Sequence, residues 1–161
     1  GHLRSGSVAS GTGAQMDKRE FAAGRAWLQK TQIQMANLLG LSPQAVRSFE
    51  QGCRSIPPYA ERQLLFLLAR RRAGNRKRRS CWTVIKCPPP IRARCPAWEF
   101  RTGDLCWFVN GTLCRGKAQL NWAAKMKVCR ACTMFINTTG LGRTRAAKRR
   151  VGRTAAGRQI R

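Results

Sequence analysis

The sequence predicts a mainly α fold in two parts. A small helical bundle with a helix-turn-helix comes first, followed by a small irregular cysteine-rich module stapled by metal. Three observations lead there. Apolar residues within 17–73 recur at helical spacing between strong capping signals. Seven of the eight cysteines and four of the five tryptophans fall in residues 81–135. The 161 residues carry 32 Lys and Arg against six Asp and Glu, a net charge of +26 with a pI near 11.7.

The helical elements follow from local signals. Phe21, Arg25 and Leu28 sit at helical spacing and predict a first helix over 18–29. Thr31 is an N-cap before a second helix with Met35, Ala36 and Leu39 as its apolar positions, and Gly40 ends it. Ser42-Pro43 restarts a helix, with a capping hydroxyl followed by proline at the first helical position. Ala45, Val46 and Phe49 form its apolar stripe, which leaves Gln44, Arg47 and Ser48 on the other face; Gly52 stops it. Pro57-Pro58 precedes a longer helix, Tyr59 to Arg72, whose core positions are Leu64, Leu65, Leu67 and Leu68.

Charge and cysteine content set the expected organisation. Residues 1–16 are Gly/Ser-rich and aperiodic, and read as a tag or disordered extension. Residues 17–73 form the helix-turn-helix domain at +6, and 74–80 (GNRKRRS) form a basic linker at +4. Residues 81–135 are the cysteine module at +7, and 136–161, with eight basic and no acidic residues, read as a disordered basic tail.

Composition excludes much before any motif is considered. Repulsion at +26 calls for an anionic partner, with nucleic acid first. Six carboxylates and one histidine, His2, leave most hydrolase, kinase and dehydrogenase constellations without their parts. No apolar run approaches the roughly 18 residues of a membrane span. No signal-peptide core is visible in the first 20 residues, so the expectation is a cytoplasmic protein with reduced thiols. A binding protein is favoured over an enzyme, and no small-molecule substrate is evident.

Two short helices joined by a tight glycine turn, with a polar second helix, make a unit suited to the DNA major groove. The stretch Thr31 to Pro57 resembles the Cro-like (XRE) phage-repressor helix-turn-helix family along its whole length. It follows the pattern TQ-x-x-(L/M)A-x-x-LG-x-S-x-x-x-V-x-x-(W/F)E-x-G-x-R-x-x-P. The resemblance implies that Gln32 binds backbone phosphate. It also implies that Ser42, Gln44, Ala45 and Arg47, flanked by Ser48, read base edges of double-stranded DNA. Gln suits an adenine edge and Arg the O6/N7 edge of guanine. Glu50 is expected to pair with Arg54, and the family's habit of binding as dimers points to a homodimer through Leu64–Leu68 or the cysteine module. Lone Cys53 is expected to be a bystander.

Seven of the ten residues from Arg70 to Arg79 are cationic. Some of these suit a helix C-terminus, but seven exceed that need. Arg76, Lys77, Arg78 and Arg79 are therefore expected to contact phosphates without reading sequence.

The module's cysteines stand at 81, 87, 95, 106, 114, 129 and 132. Only Cys129-Arg-Ala-Cys132 has the spacing that lets two thiolates hold one metal from a single turn. The absence of histidine removes Cys/His zinc fingers, and an odd count leaves one thiol over in any disulfide scheme. So small a core needs a metal or cluster as a staple. Trp82, Trp98, Trp107, Phe108 and Trp122 either wall that site against water or simply form the module's core. The motifs CW-x4-CP, CPAW, CW-x6-C-x-G and K-x-x-x-C-x-x-C resemble the two-CW cysteine-rich domain of bacterial signalling proteins, which implies a sensory or metal-binding role. An iron–sulfur cluster and zinc both suit an all-thiolate site. The preferred ligands are Cys106, Cys114, Cys129 and Cys132, with Cys81, Cys87 and Cys95 as further candidates. The functional expectation is a sequence-specific transcriptional regulator whose cysteine module senses redox state or metal. The alternatives are a nucleic-acid binder in which metal is purely structural and, more remotely, a thiol–disulfide oxidoreductase using Cys129 and Cys132.

Overall fold

The structure is a computed structural model that describes residues 14–141. It is mainly helical. The first four helices are α1 (Lys18–Trp27), α2 (Gln32–Leu39), α3 (Pro43–Gln51) and α4 (Pro58–Ala73). Each starts at a chemically clear signal. The Asp17 carboxylate accepts from the Glu20 N–H at 2.8 Å, and the Thr31 and Gln34 side chains cap α2 reciprocally. The Ser42 hydroxyl accepts from the Ala45 N–H at 3.2 Å. Gly40 closes α2 at φ 66°, a left-handed value that glycine adopts without a side-chain clash. Gln29, at φ 57°, turns the chain after α1, so that helix ends two residues earlier than its apolar spacing predicts.

Beyond Gly74 the elements shorten. They are α5 (Cys81–Val84), α6 (Pro89–Arg92), α7 (Pro96–Glu99), a 3-10 turn (Gly103–Leu105), α8 (Cys106–Val109), β1 (Leu113–Cys114), β2 (Lys117–Ala118), α9 (Trp122–Arg130) and α10 (Thr133–Thr139). The two strands pair antiparallel with Leu113 opposite Ala118. Gly103 is required by close approach: a Cβ there would lie 2.6 Å from the Trp82 ring and 2.7 Å from the Ser80 side chain.

The two parts share a single core. Buried Phe21 meets Phe49 edge-on at 5.6 Å in the first bundle. The same apolar cluster runs through Leu64, Leu65 and Leu68 to Trp107, Met126 and Phe135. Helix α10 lies along α4, so Leu64–Leu68 is already covered within the chain and offers no free dimer seam. That corrects the expectation placed on those leucines. Arg62 adds a second join: it donates to the Phe108 carbonyl at 2.8 Å and lies 5.1 and 5.3 Å from the ring centres of Phe108 and Trp122.

Two expected boundaries shift for the same reason. The tail was placed after 135, yet α10 continues to Thr139, and Thr138 and Thr139 are buried. Their hydroxyls donate back to the Phe135 carbonyl, which makes polar residues acceptable in the interior. At the other end Ala14 and Met16 are buried, although residues 1–16 read as an extension. The remaining expectations for 1–13 and 142–161 lie outside the described residues.

The ionic join is Arg130 in α9. It donates to both Glu20 oxygens in α1, at 2.6 and 2.9 Å, and to the Ala14 carbonyl at 2.9 Å. It also stands 3.7 Å from Glu61, a fully buried carboxylate in α4. Breaking a buried pair on one side strands the other charge and costs roughly 3–5 kcal/mol. Arg130→Ala is expected to lower unfolding stability in urea by about that amount, and Glu61→Gln in the same background to recover part of it. A loss below about 1 kcal/mol would show that the join is unimportant.

Candidate nucleic-acid interface and cysteine cluster

On α3 the structure exposes Gln44 and Arg47 and half-buries Ser48. Ala45, placed by the sequence in both the apolar stripe and the base-reading set, is only 7% exposed and belongs to the core. The Ser42 side chain is exposed, with its hydroxyl engaged as the cap of α3. The face able to meet a ligand through free side chains is therefore Gln44 and Arg47, bordered by Ser48.

Behind that face, Glu50 binds three helices together. Arg25 of α1 reaches it through Nε at 2.5 Å and Nη2 at 2.9 Å, while Gln32 of α2 donates its side-chain amide at 2.8 Å. Arg25 is thus the partner of Glu50, and Arg54 instead lies 6.0 Å from the Phe49 ring centre. The expected pairing with Arg54 is corrected: a bidentate guanidinium from a packed helix outcompetes one on an exposed loop. The Gln32 amide, expected to face phosphate, is held by Glu50.

The electrostatics of the two carboxylates run in opposite directions. Partial burial pushes the Glu50 pKa up, but hydrogen bonds from Arg25 and Gln32 outweigh it and hold it below the ordinary 4.5. Burial raises the Glu61 pKa above 4.5, against the opposing pull of Trp122, the Met16 N–H and Arg130.

At the basic end, Arg76, Lys77 and Arg79 are exposed, whereas Arg78 is half-buried and donates Nη1 to the Asn137 carbonyl at 2.6 Å. Residues 76–80 have no regular structure, and Gly74 ends α4 just before them. Burial, followed by repulsion from Arg72, lowers the Arg78 pKa.

The cysteines gather from separate elements. Cys81 opens α5, Cys106 opens α8, Cys114 lies on β1, and Cys129 and Cys132 bracket the join of α9 and α10. The neighbouring Cys106 thiol lowers the Cys81 pKa, while Cys81 and burial drive Cys106 far above the usual thiol range. Cys129 is pushed up to about 12 by burial, with Lys125 acting the other way and Cys114 and Cys132 adding to the rise. Burial also raises Cys114 and Cys87. Cys95 takes a hydrogen bond from the Asn110 amide at 3.3 Å.

All eight cysteines are free, and Cys53 is exposed. Among the described residues, no three Cys, His, Asp or Glu side chains are disposed to hold one metal ion. The expected ligands Cys106, Cys114, Cys129 and Cys132 therefore do not form a ready-made coordination site. No helix among the described residues is long and apolar enough to cross a membrane. No family model, curated protein or solved structure matches this chain.

Of the aromatics, Trp107 is buried against Phe135 and donates to the Thr138 hydroxyl at 3.1 Å, which makes it core. Trp82 and Trp98 pack edge-on at 4.9 Å, with Arg92 lying 4.4 Å from the Trp98 ring centre. Sequence reasoning missed Lys125, which is 1% exposed and donates its ammonium to the Leu113 carbonyl beside Cys114 and Cys129. Its signal was available: Trp122, Lys125, Met126 and Cys129 share one helical face, so a lysine occupies a core position.

The carboxylates yield a pH test. Glu50 has a lowered folded pKa, so its stabilisation is present above about 4.5 and lost as pH falls through the lowered value. Glu61 has a raised pKa, so its contribution is greatest below 4.5 and declines as pH rises through the raised value. Urea midpoints at pH 7 should drop for Glu50→Gln by the equivalent of about 1–3 kcal/mol, and this deficit should shrink toward pH 3. If the deficit were unchanged across that range, the Arg25–Glu50 clamp would not be ionic in effect.

Proposed function

We propose that this chain is a sequence-specific DNA-binding transcriptional regulator, a binding protein rather than an enzyme. The single observation that carries the reading is the pair Gln44 and Arg47, exposed on a helix whose opposite face is locked by Val46, Phe49 and the Glu50 clamp. A rigid helix presenting one amide and one guanidinium is equipped for adenine and guanine edges. The resemblance of residues 31–57 to Cro-like repressors supports the same assignment, as does the charge of +26. Ser48 flanks the readers, and Arg76, Lys77, Arg78 and Arg79 supply sequence-independent phosphate contacts.

Selection of bound duplexes from a random pool supplies the operator for the test. Arg47→Ala is then expected to cost about 1–3 kcal/mol on that site and little on unrelated duplex. Neutralising Arg76, Lys77 and Arg79 should weaken both targets alike and flatten the dependence on salt. Equal losses on both targets for Arg47→Ala would remove the base-reading role.

For the cysteine module we propose thiolate ligation of zinc or an iron–sulfur cluster. The observation favouring it is buried Lys125, whose ammonium reaches the Leu113 carbonyl next to Cys114 from the helical face it shares with Cys129, so that a positive charge stands among the module's thiols. Such a histidine-free set suits either group, and loading requires the thiols to close up from the described arrangement. Anaerobic purification followed by metal analysis and an absorption spectrum decides it. Broad absorbance near about 400 nm marks a cluster, stoichiometric zinc without colour marks the structural alternative, and neither metal in a folded protein sinks the reading.

A further inference from the structure

A cavity of about 580 Å³ opens where the C-terminal end of α4 meets α1, the basic segment and α10. Arg71, Arg72, Arg76, Lys77 and Arg78 line it, and Trp27 stands among them. No carboxylate is among its lining residues in the described part of the chain. Five like charges around one concavity repel one another and attract a counter-anion. The volume lies within the roughly 300–1,000 Å³ of small-molecule sites. A duplex backbone presents its phosphates to projecting cations, whereas an open concavity of this size admits a compact anion.

The walls are also partly set. The bond from Nη1 to the Asn137 carbonyl holds the Arg78 guanidinium in place at the cavity wall. Arg72 is placed over the Trp27 indole, 5.7 Å from its ring centre, while Trp27 remains 46% exposed. Guanidinium groups present two N–H donors in the spacing of phosphate oxygens, and their contribution from both α4 and the basic segment suits an anion longer than one phosphate.

We propose that this cavity binds a free anion carrying two or more linked phosphate groups, either inorganic or at the end of a nucleotide. The site shares Arg76, Lys77 and Arg78 with the proposed phosphate contacts, but its argument does not rest on DNA binding and it is measured without DNA. Calorimetry on the 161-residue protein at 0.15 M salt, where exposed charges are screened beyond about 8 Å, uses inorganic triphosphate, ATP and orthophosphate as probes. Triphosphate is expected to bind one to one, and at least tenfold tighter than orthophosphate. Arg71→Ala/Arg72→Ala should weaken triphosphate at least tenfold. The charge-matched control Arg54→Ala/Lys117→Ala, on exposed residues outside the cavity, should change it less than twofold. If the first variant loses helical signal, Arg71→Gln/Lys77→Gln gives the same readout from two exposed side chains. ATP binding tighter than triphosphate, with the gain lost in Trp27→Phe, identifies a nucleotide as the source; equal affinity identifies the phosphate chain alone. Equal weakening by the control, several equivalent ions per chain, or no binding would overturn the site.

Discussion

The Arg130 guanidinium ties the cysteine module to the first bundle and to the segment before it. It leaves α9, one turn from the thiols, and closes on Glu20 of α1, the carbonyl of Ala14 and the neighbourhood of Glu61 in α4. Ion pairs on protein surfaces contribute little, but this one sits at 9% exposure beside a carboxylate with none. Its geometry fixes α9, and α9 fixes the placement of α10 along the leucines of α4. The cysteine module is therefore joined to the first bundle by a shared interior. A seven-residue tether would transmit only slack; a continuous core transmits displacement.

That arrangement changes how any event at the thiols would reach α3. Cys129 belongs to the same apolar cluster as Leu64, Leu65 and Phe49, with no gap between them. Closing thiols around a metal would pull on the N-terminus of α10 and the end of α9 together, because Cys132 starts one helix where Cys129 finishes the other. The displacement would be felt first at α4, next at α1, and through the Arg25–Glu50 clamp at α3. The same continuity means that residues 17–73 do not keep their native surroundings without the module, since the α4 leucines would lose the cover of α10.

Helices α2, α3 and α4 were legible because their ends are written locally. Thr31, Ser42 and Pro57-Pro58 start helices by bonds or geometry that reach no further than three residues, and Gly40 and Gly52 end them the same way. Pairings across the fold were not written that way. The sequence points Glu50 to Arg54, and packing of α1 against α3 brings Arg25 to it instead. The cysteine module was the least legible, since helices of four residues carry no periodicity. Its thiols were visible as a set, but spacing could not show that Cys81 would meet Cys106 across two short helices. The polar residues at 138 and 139 were averaged into a basic tail because composition over 26 residues hides one buried helical turn.

The charge of the chain is distributed with a purpose that the fold makes visible. On α3 the cation Arg47 stands beside neutral Gln44, which under the proposed DNA reading suits discrimination between base edges. Around the end of α4 the cations crowd, and crowding serves attraction without discrimination. Arg76, Lys77 and Arg78 belong both to the proposed phosphate track and to the cavity beside Trp27. An oligophosphate held in that cavity would neutralise these side chains and leave Gln44 and Arg47 untouched. Sequence-independent attachment to DNA would then weaken more than base reading, so a free anion would sharpen discrimination while lowering overall affinity. The coupling needs no conformational change, because it follows from two ligands drawing on the same three cations.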